Sequence, residues 1–306
     1  MSDPIRNRYE FVVFFDVENG NPNGDPDAGN MPRTDPETGL GLVTDVCLKR
    51  KIRDYVETVK ENAPDHDRYR IYITKGVPLN RSDNEAFESV GIHDAAVNSK
   101  LKDEIKKAKQ EGNLDEKIRD YMCDHFFDIR TFGAVMTTMV KGALNCGQVR
   151  GPVQLSFARS VDPIVPQEVS ITRVAITTES DAEKKNTEMG TKYIVPYGLY
   201  RLEGYVSANL ARKTTGFSEK DLELLWEALE NMFEYDHSAA RGQMSVRKLI
   251  IFRHDSELGK VPAHKLFDLV RAERKADVVI PRNFSDYTVT VDLDHVPESV
   301  SCEIRE

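Results

Sequence analysis

Cysteine is scarce in this chain. Its 306 residues hold four, Cys47, Cys123, Cys146 and Cys302, far apart and without a C-x-x-C pair. That spacing speaks against a disulfide framework or a zinc site and for a reducing compartment. No apolar run approaches the ~18 residues of a membrane span. The first residues are polar and charged, which predicts no signal peptide, a cytoplasmic setting and no membrane partner. There is no G-x-S-x-G, H-E-x-x-H, P-loop or G-x-G-x-x-G. The seven histidines are scattered, and Cys123-Asp124-His125 lacks the further ligands that zinc needs. The residues alone therefore predict no catalytic group, no metal and no cofactor.

What is present is ample apolar content and an uneven charge. Hydrophobic residues make up 40% of the chain, enough for a core in one elaborated domain or two ordinary ones. Net charge is −9 and the pI about 5.4, which taken alone argues against non-specific nucleic-acid binding. Its distribution matters more. Residues 1–140 carry 20 basic and 26 acidic side chains, residues 141–216 carry 10 and 7, and residues 217–306 carry 12 and 18. The middle is mildly basic between acidic flanks, so a positive groove on an acidic body is compatible with the total.

The most informative stretch is 9–60. A β-like run, Tyr9–Asp16, empties into a loop at 19–43 rich in Asn, Gly, Pro and Asp; loops this long are usually functional or disordered. Asn19, Asn21, Asn23, Gly24, Asp25 and Asp27 fall at calcium-loop spacings. Asn at the first place, Asn30 at the twelfth, and Pro22 and Pro26 in between make the match poor, and a turn-rich loop is the plainer reading. Thr44 predicts an N-cap. Leu48, Ile52, Tyr55, Val56 and Val59 then form one apolar stripe. Lys49, Arg50, Lys51 and Arg53 predict a basic, exposed face beside it.

Further along, 61–127 is charge- and turn-rich, with a strand-like Tyr69–Ile73 and helical stretches at Lys100–Glu111 and Leu114–Phe127. A strand is expected near Val153–Val161 and a hairpin over 169–200, with a polar tip at Ser180–Gly190. Another strand is expected at Leu199–Leu210. Ser218 and Asp221 form a capping-box pattern ahead of Leu222, Leu225, Trp226 and Leu229. Strands follow at Ser245–Phe252 and near Tyr287–Leu293. Two βαβ-like halves predict an α+β, ferredoxin-like sheet with helices on one face. The RRM Lys/Arg-Gly-Phe/Tyr signature is absent, so stacking of bases on an open sheet is not expected. Backbone contact by loop amides and by Lys49, Arg50, Arg53, Arg150, Arg159, Lys192 and Arg241 is expected instead. Any one of these taken singly is more often a solvated surface charge. Gly151-Pro152 and Arg241-Gly242 offer close approach to a phosphate.

These segments resemble the backbone subunit of CRISPR Cascade, the seventh Cas family of the RRM-like RAMP superfamily, most closely its type I-C form. The matching residues are Phe14–Pro26, Thr44–Arg53, Asp128–Ala134, Gly151–Gln154, Tyr193–Tyr200 and Arg241–Met244. The resemblance implies a modified RRM palm (1–60, 128–164 and 196–306), a finger insertion at 61–127 and a β-hairpin thumb at 165–195. It implies copies stacked head to tail along a CRISPR guide RNA, beside other Cascade subunits, with target DNA recognised by guide pairing. Carried over by motif, the RNA contacts would be Asn19, Asn21, Asn23, Gly24, Lys49, Arg50 and Arg53. Thr131, Gln154, Met189, Arg241, Gln243 and Met244 would follow. An alternative from another class is a metal-dependent ribonuclease like the backbone subunits of type III complexes, with Asp16, Asp25 or Asp27 as the loop aspartate.

An acidic body around a basic groove would limit promiscuous coating of RNA. Neutralising several acidic residues within 217–306 is therefore expected to raise affinity for unrelated RNA at low salt. A filter-binding measurement that finds no increase removes that explanation of the charge.

Overall fold

The run Tyr9–Val17 is apolar except for Glu10 and Asp16, the pattern of a strand covered on both faces rather than one. In the computed structural model it forms most of a strand, Tyr9–Gly20, with Tyr9–Val17 buried throughout. The structure describes residues 3–93, 107, 112–136, 148–182 and 187–306. The helical stretch read at Lys100–Glu111, Cys146 and part of the polar tip at 183–186 therefore lie outside the described residues or almost entirely so. Among the described residues no helix is long and apolar enough to cross a membrane.

The central strand sits inside an eight-stranded sheet whose pairings are all antiparallel. The order is Val300–Arg305, Gln243–His254, Tyr9–Gly20, Glu188–Val206, Ala158–Pro163, Leu40–Val43. Val153–Leu155 and Gln167–Arg173 also pair with Glu188–Val206. On one face pack two long helices, Asp45–Lys60 and Glu219–Asn231. Phe11, Val13, Phe15 and Val17 meet Leu48, Ile52, Leu225 and Trp226 there in one cluster. The Trp226 ring stands edge-on to Phe11 at 5.1 Å between centroids. The opposite face is covered too: Val12 and Phe14 pack with Leu266, Phe267, Val270 and Tyr287. A third cluster, of Phe87, Leu114, Ile118, Met122 and Phe126, reaches across residue 127 to Ile129 and Val149.

Both helix caps follow from sequence. Thr44 accepts from the Cys47 N–H at 3.3 Å, and Ser218 with Asp221 closes a reciprocal capping box. The 167–206 region forms a hairpin as expected, but its return arm is not a separate strand. Glu188–Val206 runs unbroken from the hairpin into the sheet. The first strand is longer than read, ending at Gly20, and the 19–43 loop contains a two-residue pairing of Gly24–Asp25 with Met31–Pro32 and the edge strand Leu40–Val43. Val300–Arg305 is an additional edge strand.

Tyr69–Ile73 is not a strand. The Tyr72 and Ile73 N–H groups donate to the Asp128 carboxylate at 2.8 and 3.1 Å, so a side chain takes the place of a neighbouring strand. Asp128–Phe132, read as part of a resuming core, belongs to a short helix, Phe127–Phe132.

One buried ion pair joins the second long helix to the short one. Arg130 and Asp221 are both fully buried, 2.7 Å apart. Arg130 also donates to the Cys123 carbonyl at 2.6 Å. Burial alone would raise the Asp221 pKa, but the Arg130 charge and bond and the Ser218 hydroxyl and N–H outweigh it and hold it below its ordinary 3.8. A depressed carboxylate stabilises the fold fully above its unfolded pKa, and that contribution fades as pH falls through the folded value. Asp221→Ala leaves Arg130 buried without its partner and removes the capping box, so it should cost ~3–5 kcal/mol at neutral pH. Urea unfolding measures the loss. The difference from wild type should shrink on acidification below about pH 4.

Candidate nucleic-acid interface

The C-terminal end of the central strand, the Asn19–Gly24 loop and the turn at 238–242 meet at one end of the sheet. Their contact is backbone against backbone. A Cβ on Gly20 would lie 1.8 Å from the Arg241 carbonyl oxygen, and one on Gly242, which has a positive φ of 63°, would lie 2.3 Å from the Glu18 oxygen. No residue but glycine fits at either position without moving the chain. The Asn21 N–H donates to the Ala240 carbonyl at 2.9 Å. Arg241 donates back to the Pro22 carbonyl at 3.2 Å and lies 3.4 Å from the Asp236 carboxylate. Asp236 also pairs with Lys51 of the first long helix. One carboxylate thus ties the helix, the turn and the loop together.

Inside the loop the amide side chains are used structurally. Asn21 donates to the Asn30 carbonyl at 2.7 Å. The Asn23 side-chain oxygen accepts from both the N–H and the hydroxyl of Thr44, at 2.9 and 3.0 Å. Asn19 adopts a left-handed φ of 51°. A side chain at Gly24 would collide with Asn30. Asp25 pairs with Arg33 at 3.2 Å and accepts from the Asp27 N–H at 3.1 Å. This is a hydrogen-bonded turn, and no group of three or more metal-ligating side chains occurs among the described residues.

The expectation of an exposed basic helix face is corrected. Lys51 and Arg53 are buried, at 3% and 6% exposure. Arg53 donates to Asp128 at 2.8 Å, in a pair closed off from water, and its guanidinium lies 5.4 Å from the Phe132 ring centroid. Lys49 and Arg50 are half-buried, each paired one turn along its own helix, with Asp45 and Asp54, and Arg50 also donates to the Ile73 carbonyl at 2.8 Å. Thr131 and Met244 are buried as well, so neither side chain meets solvent. Gln154 donates to the Gly151 carbonyl at 3.0 Å. Gln243 is exposed beside Glu18. Met189 is 74% exposed on the hairpin, opposite Thr172. Arg159 pairs with Asp35 at 3.1 Å. Among the described residues, Arg150 and Lys192 have no ion-pair partner.

Asp16, a candidate metal ligand by sequence, is occupied. It is 3% exposed, accepts from Arg247 at 2.9 Å and from the Tyr197 hydroxyl at 3.0 Å. Burial raises its pKa, opposed by the Arg247 charge. A carboxylate so held is a sheet-anchoring group, not an open ligand. The residues that sequence reasoning missed are Asp128 and Asp236, which decide which cations are exposed. Their signal was a basic residue at each edge of the apolar stripe, which calls for a buried acid from elsewhere.

If Asp236 is the tie that orders this end of the sheet, Asp236→Asn should speed hydrogen exchange at the Asn21 amide by about tenfold or more while leaving the Ile250–Phe252 amides unchanged. Equal acceleration at both places would mean global destabilisation instead.

A family model described as CRISPR-associated protein Cas7 matches residues 7–292. A relative from Haloferax volcanii, described as CRISPR-associated protein Cas7, is 29% identical over 245 residues. The match takes in 74% of this chain and 65% of the relative, so the chain spans just under two thirds of that protein's length. Two solved structures are similar at low identity. A chain of a CRISPR RNA-guided surveillance complex in a pre-nicking state gives a TM-score of 0.46 at 17% identity, covering 80% of this chain and 75% of that one. A chain of another CRISPR RNA-guided surveillance complex gives 0.42 at 14% identity, covering 80% and 68%.

Proposed function

The chain belongs to the Cas7 family of CRISPR-associated proteins, and on that footing we propose that it is a non-catalytic, guide-RNA-binding backbone subunit of a Cascade-type surveillance complex. In this reading copies stack head to tail along the guide and contact other Cascade subunits, and guide–target pairing supplies specificity for DNA. The strand order Gln243–His254, Tyr9–Gly20, Glu188–Val206, Ala158–Pro163 with two helices on one face supports a modified ferredoxin-like palm. The 167–206 hairpin serves as the thumb and the 61–127 insertion as the finger. The motif matches favour a type I-C complex.

The observation that carries the proposal is the tied junction of the Asn19–Gly24 loop, the Arg241 turn and the first long helix. It holds backbone groups and two outward cations in fixed places, as a sequence-independent grip on phosphates requires. Magnitudes decide which cations grip. Exchanging a helix-surface pair such as Lys49–Asp45 or Arg50–Asp54 for a phosphate gives up about 0.3–0.5 kcal/mol, and Arg50 can turn its second nitrogen outward while keeping its bond to the Ile73 carbonyl at 2.8 Å. Pulling Arg53 from Asp128 uncovers a buried charge and costs ~3–5 kcal/mol. Lys49 and Arg50, with the exposed faces of Asn19, Asn23, Gly24, Gln154, Gln243 and Met189, are therefore the contacts, and Arg241, tied to Asp236 and the Pro22 carbonyl, holds the loop beside them. Asn21, Arg53, Thr131 and Met244 position them. Asp16, locked between Arg247 and Tyr197, and Asp25, paired with Arg33, support a non-catalytic role over a loop-aspartate nuclease, which would have to use the exposed Asp27.

The test is the salt dependence of guide retention in the assembled complex. Lys49→Gln with Arg50→Gln should weaken retention and flatten the slope of log affinity against log salt by about 0.7 per lost phosphate contact. Arg53→Gln should lower the melting temperature with the slope unchanged. A slope unaffected by the Lys49 and Arg50 changes would sink the assignment.

A further inference from the structure

The 61–127 insertion packs on an apolar cluster of its own, and one acid lies inside it. The helix Leu79–Glu88 turns Ala86 and Phe87, both fully buried, into the cluster with Tyr72, Ile118, Met122 and Phe126. Asp83 precedes Phe87 by four residues, so helical spacing puts the two on one face. Asp83 is 1% exposed. The Tyr72 hydroxyl donates to its Oδ1 at 2.9 Å. Its Oδ2 is buried and accepts no hydrogen bond.

That is exceptional in this chain. Among the described residues the buried carboxylates are Glu10, Asp16, Asp83, Asp128 and Asp221. Four of them meet a cation: Glu10 meets Arg8, Asp16 Arg247, Asp128 Arg53 and Asp221 Arg130. Asp83 has a single hydroxyl. The titratable groups packed with it are Tyr72, from the segment before the helix, and Tyr121 and Cys123, from the helix Leu114–His125. Arg70 is engaged by Glu85 at 2.7 Å and Arg119 by Asp120 at 2.8 Å. On its own helix Arg81 and Glu88 are exposed. None of these charges bears on Asp83. Burial pushes its pKa from 3.8 up to about 6, and the Tyr72 bond is what opposes the rise. A neutral carboxyl costs less to hold in such a place than a charged one.

We propose that Asp83 is a release point built into the insertion: with the carboxyl neutral the helix Leu79–Glu88 stays seated on its cluster, and with the carboxyl ionised it opens as a local unit while the sheet stays folded. An acid whose folded pKa is raised stabilises the seated helix fully below its unfolded value, and that advantage is lost as pH rises through the folded value. The window is therefore from about 4 to about 6, and at neutral pH the helix belongs to the low-stability part of the molecule, from which moving segments are drawn. The Arg130–Asp221 pair has the opposite sign, since acid weakens it. Acidification thus tightens this helix while it loosens the junction of the two others, and a change in global stability cannot imitate both.

The experiment is hydrogen exchange by mass spectrometry on the full chain at about pH 5 and about pH 7.5, with rates corrected for the intrinsic pH dependence of amide exchange. Amides of the helix Leu79–Glu88 are compared with those of Ile250–Phe252. In wild type the helix amides should be roughly tenfold better protected at the lower pH, and the Ile250–Phe252 amides should show no such gain. Asp83→Asn and the apolar Asp83→Leu should both raise protection at pH 7.5 and remove the pH dependence. Tyr72→Phe, which takes away the one donor to the carboxylate, should open the helix further at pH 7.5 and much less at pH 5. Equal protection at the two pH values in wild type overturns the proposal. So does a pH dependence that survives in both Asp83 variants, or one shared by the Ile250–Phe252 amides, which would assign it to global unfolding.

Discussion

The double burial of Tyr9–Val17 is the constraint on which the rest of the structure depends. Phe11, Val13 and Phe15 face the two long helices, and Val12 and Phe14 face the layer of Leu266, Phe267 and Tyr287. A strand covered on both sides gives up both faces of the sheet as binding surface. What remains are its ends. One end carries the Asn19–Gly24 loop and the Arg241 turn, and the other the π-helical turn Ala211–Thr215. Base stacking on an open sheet face, the usual RRM mode, is excluded by packing as well as by the missing aromatic signature.

The polar residues within this strand show how the layers are joined. Glu10 is fully buried and reaches His254 at 2.6 Å, with the Arg8 guanidinium also on it. Asp16 bonds Arg247 and Tyr197, side chains from the strands on either side of it. Arg130–Asp221 joins the short helix to the second long one, and Arg53–Asp128 joins that short helix to the first long one. Pairs like these contribute little net stability against an apolar alternative. They do penalise misregister, because a slip of one residue would strand a charge in the core. Long antiparallel strands with few turns to fix their pairing gain most from such markers.

How legible this was in the sequence depended on how local the cause was. The helix Glu219–Asn231 and its capping box were readable because cap, stripe and helix lie within a few turns. The Thr44 cap and the hairpin at 167–206 were readable for the same reason. Lys51 and Arg53 looked exposed because their partners, Asp236 and Asp128, are 185 and 75 residues away. Tyr69–Ile73 looked like a strand because its β-branched and aromatic residues fit one, while the carboxylate that takes its N–H groups lies at Asp128. Val300–Arg305 was missed because Ser301, Glu303 and Arg305 dilute the apolar signal on an edge strand that pairs on one side only. At the candidate grip, loop chemistry and glycines were visible. Which cations stay outside was not, since that is set by long-range pairing.

The same pairing gives the acidic total a role. The chain has 51 acidic and 42 basic side chains, and most cations near the grip already face an acid. A cation held by a helix-surface carboxylate can still turn to a phosphate, because the exchange gives up only tenths of a kcal/mol and each contact returns counterions to solution. One isolated phosphate gains little from that trade. In the proposed role a continuous strand passing many subunits would gain at every one, so affinity would grow with the length of strand engaged rather than with the strength of a single contact. In the proposed role, surface acids would weaken single contacts while leaving repeated ones effective, and preference for a long, correctly seated strand would follow from charge alone without any base being read.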